Sequence, residues 1–233
     1  MMAQHDLIQM ITQVANALED DLRAEMAFVG GVTTGLLLTD DFAREQVRST
    51  DDVDLIVHVI GNPGFNALQA RLQKKGFQIP MPAPGDTTPI CAMKLGELRV
   101  DFMPDDEEVL GFTNRWYSDA LANATPYTLP AGPTIRLVTG PYFVATKLEA
   151  WKGRGQGDAL SSRDIEDLLA LVDGREDLIA EVKAAPANLW DYIASELKTL
   201  LGNDNFLLAM ESQAQGNAAR TERLHIRLEQ LAK

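Results

Sequence analysis

This chain is short of cysteine, histidine, positive charge and long apolar runs, and each shortage closes off a class of chemistry. Its single cysteine, Cys91, excludes an intrachain disulfide and fits a reducing compartment, which places the protein in the cytoplasm. The three histidines, His5, His58 and His225, lie far apart and offer no zinc-ligand spacing. His58, four residues from Asp54, could border whatever Asp54 does, although strand packing explains it as well. Lys and Arg number 21 against 34 Asp and Glu, a net charge of −13. Such a balance opposes loose attraction to nucleic acid, which depends on cations neutralising phosphates. A nucleic-acid partner would need a local basic patch. Lys147, Lys152, Arg154 and Arg163 form one candidate and Arg220, Arg223 and Arg227 another, though either set suits a solvated helix face. The longest apolar stretches, such as Gly35 to Leu38, fall far short of the roughly 20 residues that span a bilayer. Met1 to Asp6 lack the basic start and apolar run of a signal peptide. No Gly-x-Ser-x-Gly and no Walker-type loop appears. A membrane role is therefore not expected.

What remains is an ordinary globular composition, 45% hydrophobic and 24% charged over 233 residues, enough for a substantial core in one or two domains. Leu7, Ile11, Val14, Leu18 and Leu22 lie on one face of an amphipathic helix that should pack on a sheet. Met26 to Val29, Gly30-Gly31 and Val32 to Leu38 read as strand, turn and helix. Val53 to Ile60 is β-branched and apolar apart from Asp54 and His58, as in a buried strand. Gly61-Asn62-Pro63-Gly64 then breaks the chain before a helix from Phe65 to Lys75, closed by Gly76. Pro80, Pro82, Pro84 and Pro89 mark an irregular loop bordering the site. Ile90 to Lys94 and Leu98 to Met103 read as a hairpin about Leu95-Gly96-Glu97. Asp105 to Glu108 read as a solvated turn. Beyond Thr139-Gly140-Pro141 the texture is helical: Tyr142 to Gly153, Ser162 to Val172, Arg175 to Ala184, Leu189 to Leu201 and Asn217 to Ala232. The expected organisation is an α/β domain over 1–139 and a helical domain over 140–233. Trp116, Trp151 and Trp190 read as packing anchors.

The most informative residues are Asp52 and Asp54 in Arg48-Ser49-Thr50-Asp51-Asp52-Val53-Asp54. Strand side chains alternate faces, so residues two apart point the same way and the two carboxylates would repel unless a cation joined them. Hard oxygen ligands suit Mg²⁺, which commonly binds through one or two carboxylates plus substrate phosphates. Asp101 lies on the second hairpin strand, with Arg99 and Met103 on its face, and supplies a third acid. Read alone, an Asp-x-Asp is more often a solvated strand end, a Gly-Gly a tight turn and Lys147 a surface lysine.

Together Gly30-Gly31, Asp52-Val53-Asp54 and Val100-Asp101-Phe102 resemble the arrangement of the nucleotidyltransferase fold. Arg48-x-Thr50-x-Asp52-Val53-Asp54, with Lys147-Leu148-x-Ala150 and Arg163-Asp164-x-x-Asp167-Leu168, is similar to the AbiEii/AbiGii type of toxin nucleotidyltransferase. The resemblance spans roughly residues 26 to 172, with a longer stretch from Gly31 to Asp52, containing Asp40 to Val47, than the broader fold has. It implies an α+β fold, a mixed sheet with flanking helices followed by a helical lobe. It also implies transfer of a nucleoside monophosphate from an NTP to a hydroxyl of RNA such as tRNA, or of a protein, with Mg²⁺ and a cognate antitoxin as partners. Asp52, Asp54 and Asp101 would hold the metal, and Gly30 and Gly31 would admit a phosphate to the backbone. Ser49 or Thr50 would hydrogen-bond a terminal phosphate. Lys147 would add a point charge to the triphosphate, and Asp164 would orient Lys147, a nucleotide hydroxyl or the acceptor. Asp167 and Asp158 read as supporting or capping acids. Two rival readings stand beside this one: a catalytically silent nucleotide- or partner-binding module of the same fold, and a small-molecule, antibiotic-type nucleotidyltransferase.

Overall fold

The computed structural model describes residues 2–81, 89–111, 113–130, 132–155 and 157–233, with side chains from His5 onward. Pro82, Pro84, Gly85 and Asp86 of the expected site-bordering loop lie outside the described residues. The architecture is α+β, a mixed six-stranded sheet with helices and a C-terminal helical region. Two compact units divide the chain: residues 1–33 with 49–138, and residues 34–48 with 139–233.

In the first unit, helix α1 (Met2–Glu25) carries the expected apolar face, with Ile11, Val14, Leu18 and Leu22 completely buried where it packs against the sheet. Its helical geometry is interrupted at Glu19, which sits at φ 55°. The strands are β1 (Met26–Val29), β2 (Asp52–Val57), β3 (Ala92–Leu95), β4 (Leu98–Pro104), β5 (Thr125–Thr128) and β6 (Thr134–Leu137). They lie in the order β3-β4-β2-β1-β6-β5. The β3–β4 hairpin turns at Gly96-Glu97, with Leu95 opposite Leu98 and Gly96 at φ 63°. Behind it Phe77 and Phe102 meet edge-to-face with ring centroids 5.3 Å apart.

Two expectations about this unit change. Strand β2 ends at Val57 instead of Ile60, and Gly61-Asn62-Pro63-Gly64 is the first turn of the next helix, Gly61–Lys74, instead of a break before it. Pro is at home in a first turn, where no intrahelical N–H is required of it. Gly61, at φ 59°, donates its N–H to Asp106 Oδ2 at 2.7 Å. Nor is Asp105 to Glu108 a merely solvated turn. Asp105 receives His58 Nδ1 at 2.9 Å, and Asp106 caps a short helix over Glu107–Leu110. His58 thus lies beyond the strand end, largely exposed, on Asp105.

The second unit is helical. Its long helices cover Gly140–Arg154, Arg163–Gly174, Ala187–Leu201 and Ala218–Leu231, with shorter ones over Leu178–Ala184 and Asp204–Gln213. The helix from Gly140 is buried from Gly140 to Leu148 on all sides, as its apolar sequence demands. Residues 34–48 join this unit because they dock on the end of the Arg163–Gly174 helix. There Gly174 O accepts from Thr39 N and Asp40 N, and a Cβ on Gly174 would lie 2.5 Å from Ala43 Cβ. Within the long Gly31-to-Asp52 stretch, the Asp40-to-Val47 segment, expected as loop, contains a short helix over Asp41–Glu45 capped by Asp40. Among the described residues no helix is long and apolar enough to cross a membrane.

Candidate metal centre

The register of two strands assembles the acids. Strands β2 and β4 run parallel with Asp54 opposite Asp101 and Asp52 opposite Arg99. Asp52 and Asp54 alternate with buried Val53 and Leu55, so both carboxylates share the less buried face. One oxygen from each of Asp52, Asp54 and Asp101 lies within 4.8 Å of the others. Three hard, anionic oxygen donors at such separations are compatible with a divalent cation such as Mg²⁺.

Three neighbours shape the cluster. Gly30 follows β1, whose last residue Val29 pairs with Asp54. It adopts φ 80°, and a Cβ there would stand 1.9 Å from Asp54 Oδ2. Only glycine leaves room for that carboxylate in that backbone state. The chain then tightens into a 3₁₀ turn over Gly31–Thr33, where Thr33 N and Oγ1 both donate to Gly30 O, at 3.1 and 2.8 Å. Thr50 donates its hydroxyl to Asp52 Oδ1. Arg99 grips Asp101 with both prongs, Nε to Oδ1 at 2.9 Å and Nη2 to Oδ2 at 2.7 Å. Those bonds to Asp101 raise the Arg99 pKa above its ordinary value. No motif marks Arg99 for a role, although its place two residues before Asp101 puts both side chains on one strand face. Nearby, burial and then the charge of Asp101 push the Cys91 thiol up to about 12, so it is no nucleophile at neutral pH.

Lys147 and Asp164 belong to the second unit and to a different kind of cluster. Lys147 is 7% exposed, with Nζ 2.6 Å from Asp167 Oδ2 and 3.4 Å from Asp164 Oδ1. Asp164 also receives Arg154 through two bonds of 2.8 Å, and Asp167 receives Arg48 through two more. Burial alone would raise the Asp164 pKa, but Arg154 and Lys147 outweigh it and hold the carboxyl below its ordinary value. Arg48 and Asp167, both in the quoted motifs, are thus partners 119 residues apart. Asp158 acts within its loop, accepting from Leu160 N and Ser161 Oγ.

Of the basic candidates, Lys147, Lys152, Arg154, Arg220, Arg223 and Arg227 are engaged inside the second unit. Lys152 pairs with Glu196, Arg220 and Arg223 both pair with Asp173, and Arg227 donates to the carbonyls of Val172 and Asp173. Arg220, Arg223 and Arg227 answer the C-terminal end of the Arg163–Gly174 helix, where cations are favoured.

No family model matches the sequence, and no curated protein matches it. Among solved structures, the chain is similar to the antibiotic-resistance factor ANT(2'')-Ia, whose solution structure is described as revealing substrate-regulated conformation dynamics. The identity is 13% and the TM-score 0.38, over 95% of this chain and 99% of that one. A likeness of that degree assigns no activity.

Proposed function

We propose that this chain is a Mg²⁺-dependent nucleotidyltransferase that moves a nucleoside monophosphate from an NTP to a hydroxyl acceptor and releases pyrophosphate. The observation that carries the reading is the convergence of Asp52, Asp54 and Asp101 within 4.8 Å, on paired strands beside a glycine that yields space to Asp54. Asp52, Asp54 and Asp101 would hold the ion, whose chemistry is to neutralise the triphosphate and favour an in-line displacement. The acceptor oxygen forms its bond to the α-phosphorus as the bond to pyrophosphate breaks, and a triad carboxylate accepts the hydroxyl proton. Positioning and charge supply most of the rate. Gly30 and Gly31 are read as the backbone nearest the phosphates, with Ser49 beside them and Thr50 holding Asp52. Lys147 and Asp164, whose charges answer each other, are read as holding the second unit together.

Charge bears on the choice of acceptor. A net charge of −13, with the basic residues named above tied to acids or carbonyls, favours a small cationic polyol over RNA. A toxin-like role beside an antitoxin rests on the motif resemblance alone, and growth arrest on expression tests it. The central test is transfer from α-labelled NTPs to total RNA, to protein and to cationic polyols, with Asp52→Ala and Asp54→Ala as controls. Wild-type protein that neither binds NTP nor releases pyrophosphate would sink the reading. Binding without release would instead make the chain a silent module.

A further inference from the structure

We propose that Arg99 is a built-in counter-ion that keeps the acidic triad closed to free divalent ions and yields it to an ion arriving with a polyphosphate. The inference rests on the metal-site reading and adds a switching residue to it. Arg99 stands opposite Asp52 in the strand register and grips both oxygens of Asp101. Asp101 is only 6% exposed, whereas the Arg99 side chain is 44% exposed, so the guanidinium reaches the carboxylate from the solvent side. It stays charged at every relevant pH, and its planar fork fits a carboxylate and a phosphate equally well.

These facts set up a competition at one carboxylate. A divalent ion that needs Asp101 must share it with, or take it from, a cation tethered two residues away, whose effective concentration is high. A free aqueous ion offers Arg99 nothing in exchange. An ion carried by a polyphosphate brings oxyanions of the geometry that the guanidinium already holds, so Arg99 exchanges one partner for another. Arg99 is thus a positioning and gating residue: it lowers affinity for the bare ion and raises affinity for the loaded one. A purely structural salt bridge would move both affinities in the same direction.

The test measures Mn²⁺ binding to the full chain by the loss of the free-ion paramagnetic resonance signal, with Mn²⁺ alone and with Mn²⁺ and inorganic tripolyphosphate. Tripolyphosphate avoids choosing a base. Removing a unit charge beside the triad in Arg99→Gln is expected to tighten bare Mn²⁺ binding about tenfold. Loss of the phosphate fork is expected to weaken retention of the Mn²⁺–tripolyphosphate pair about tenfold. Arg99→Lys keeps the charge without the fork and should shift both affinities with the same signs and smaller size. It carries the test if circular dichroism shows Arg99→Gln unfolded. Bare Mn²⁺ affinity that is unchanged or weaker in the folded variant overturns the role of Arg99, while loss of binding in Asp54→Asn keeps the metal site. Wild type and both Arg99 variants that all ignore Mn²⁺ overturn the metal site and this inference together.

Discussion

The two units each gather aspartates, and the contrast lies in what each carboxylate faces. In the first unit Asp52, Asp54 and Asp101 bring their carboxylates within 4.8 Å of one another, with the half-exposed Arg99 on Asp101 as their neighbouring cation. In the second, Asp164 and Asp167 are interleaved with Lys147, Arg154 and Arg48, so every carboxylate oxygen meets a cation. Three acids that share one solvent-side cation suit the binding of something added, whereas a cluster whose charges answer each other throughout is finished when the chain folds. On the proposed reading, that difference separates a ligand site from a structural knot more sharply than residue type does, since both are built from aspartate.

The same chemical change should therefore act oppositely in the two places. Asp167→Asn strips the charge from a carboxylate that is 1% exposed and leaves Lys147 and Arg48 poorly answered, so the unit should lose about 3–5 kcal/mol, read as the denaturation midpoint in urea. Asp52→Asn still accepts the Thr50 hydroxyl, and without metal its stability should equal or exceed that of wild type. Its nucleotidyl transfer should fall about a thousandfold or more, the scale of several kcal/mol of lost charge stabilisation. If Asp52→Asn lowers stability as much as Asp167→Asn does, the contrast fails.

Gly30→Ala tests how closely the acidic cluster is fitted. The new methyl would meet Asp54 Oδ2 at 1.9 Å, and φ 80° is a state that alanine adopts at a cost of about 1–2 kcal/mol. Asp54 must move, and a displacement of that size should cost about a hundredfold in transfer rate. Activity at the wild-type level in Gly30→Ala would mean that Asp54 is not where the chemistry occurs.

How much of this could be read beforehand differs between the clusters for a physical reason. Asp52-Val53-Asp54 declares itself because period two on a strand is local, and β1 with its two glycines is equally local. The pairing of Asp54 with Asp101 spans 47 residues and needed the parallel register of β2 and β4, which no periodicity reports. The knot was hidden further: Lys147 looks like a surface lysine until the packing of the Gly140–Arg154 and Arg163–Gly174 helices buries it on acids 17 and 20 residues away. Strands β5 and β6, four residues each, are too short for an alternating pattern to show. The helix over Asp204–Gln213, capped by Asn203, is harder to read: it buries Phe206, Ala209 and Met210 on one face, but the unbroken apolar run from Phe206 to Met210 hides that spacing.

Acid should loosen the knot in a defined window. The Asp164 carboxyl lies below its ordinary value of 3.8 in the fold, so its ionised form contributes stability that is fully present above that value. The contribution is lost as pH falls through the lower, folded value. Wild-type melting temperature should accordingly drop as pH goes from about 4 toward 2, while Asp164→Asn starts lower and loses less across the same range. Parallel curves would show that Asp164 carries no such linkage.

The smallest expected effect concerns Thr50, whose hydroxyl donates to Asp52. Thr50→Val keeps the β-branched shape and removes one hydrogen bond to a charged acceptor, worth about 1.5–3 kcal/mol where the acceptor is left buried. Asp52 is half-buried, so water takes up part of the loss and the net effect should stay near 1 kcal/mol. The fold should tolerate this, and the consequence should fall on the freedom of the Asp52 carboxylate: metal affinity several-fold weaker, with the urea midpoint close to wild type. Serine at this position restores the donor and should restore the affinity, a rescue that a change of packing alone would not give. If serine fails where threonine succeeds, the methyl group, and with it the packing of the loop ahead of β2, places Asp52.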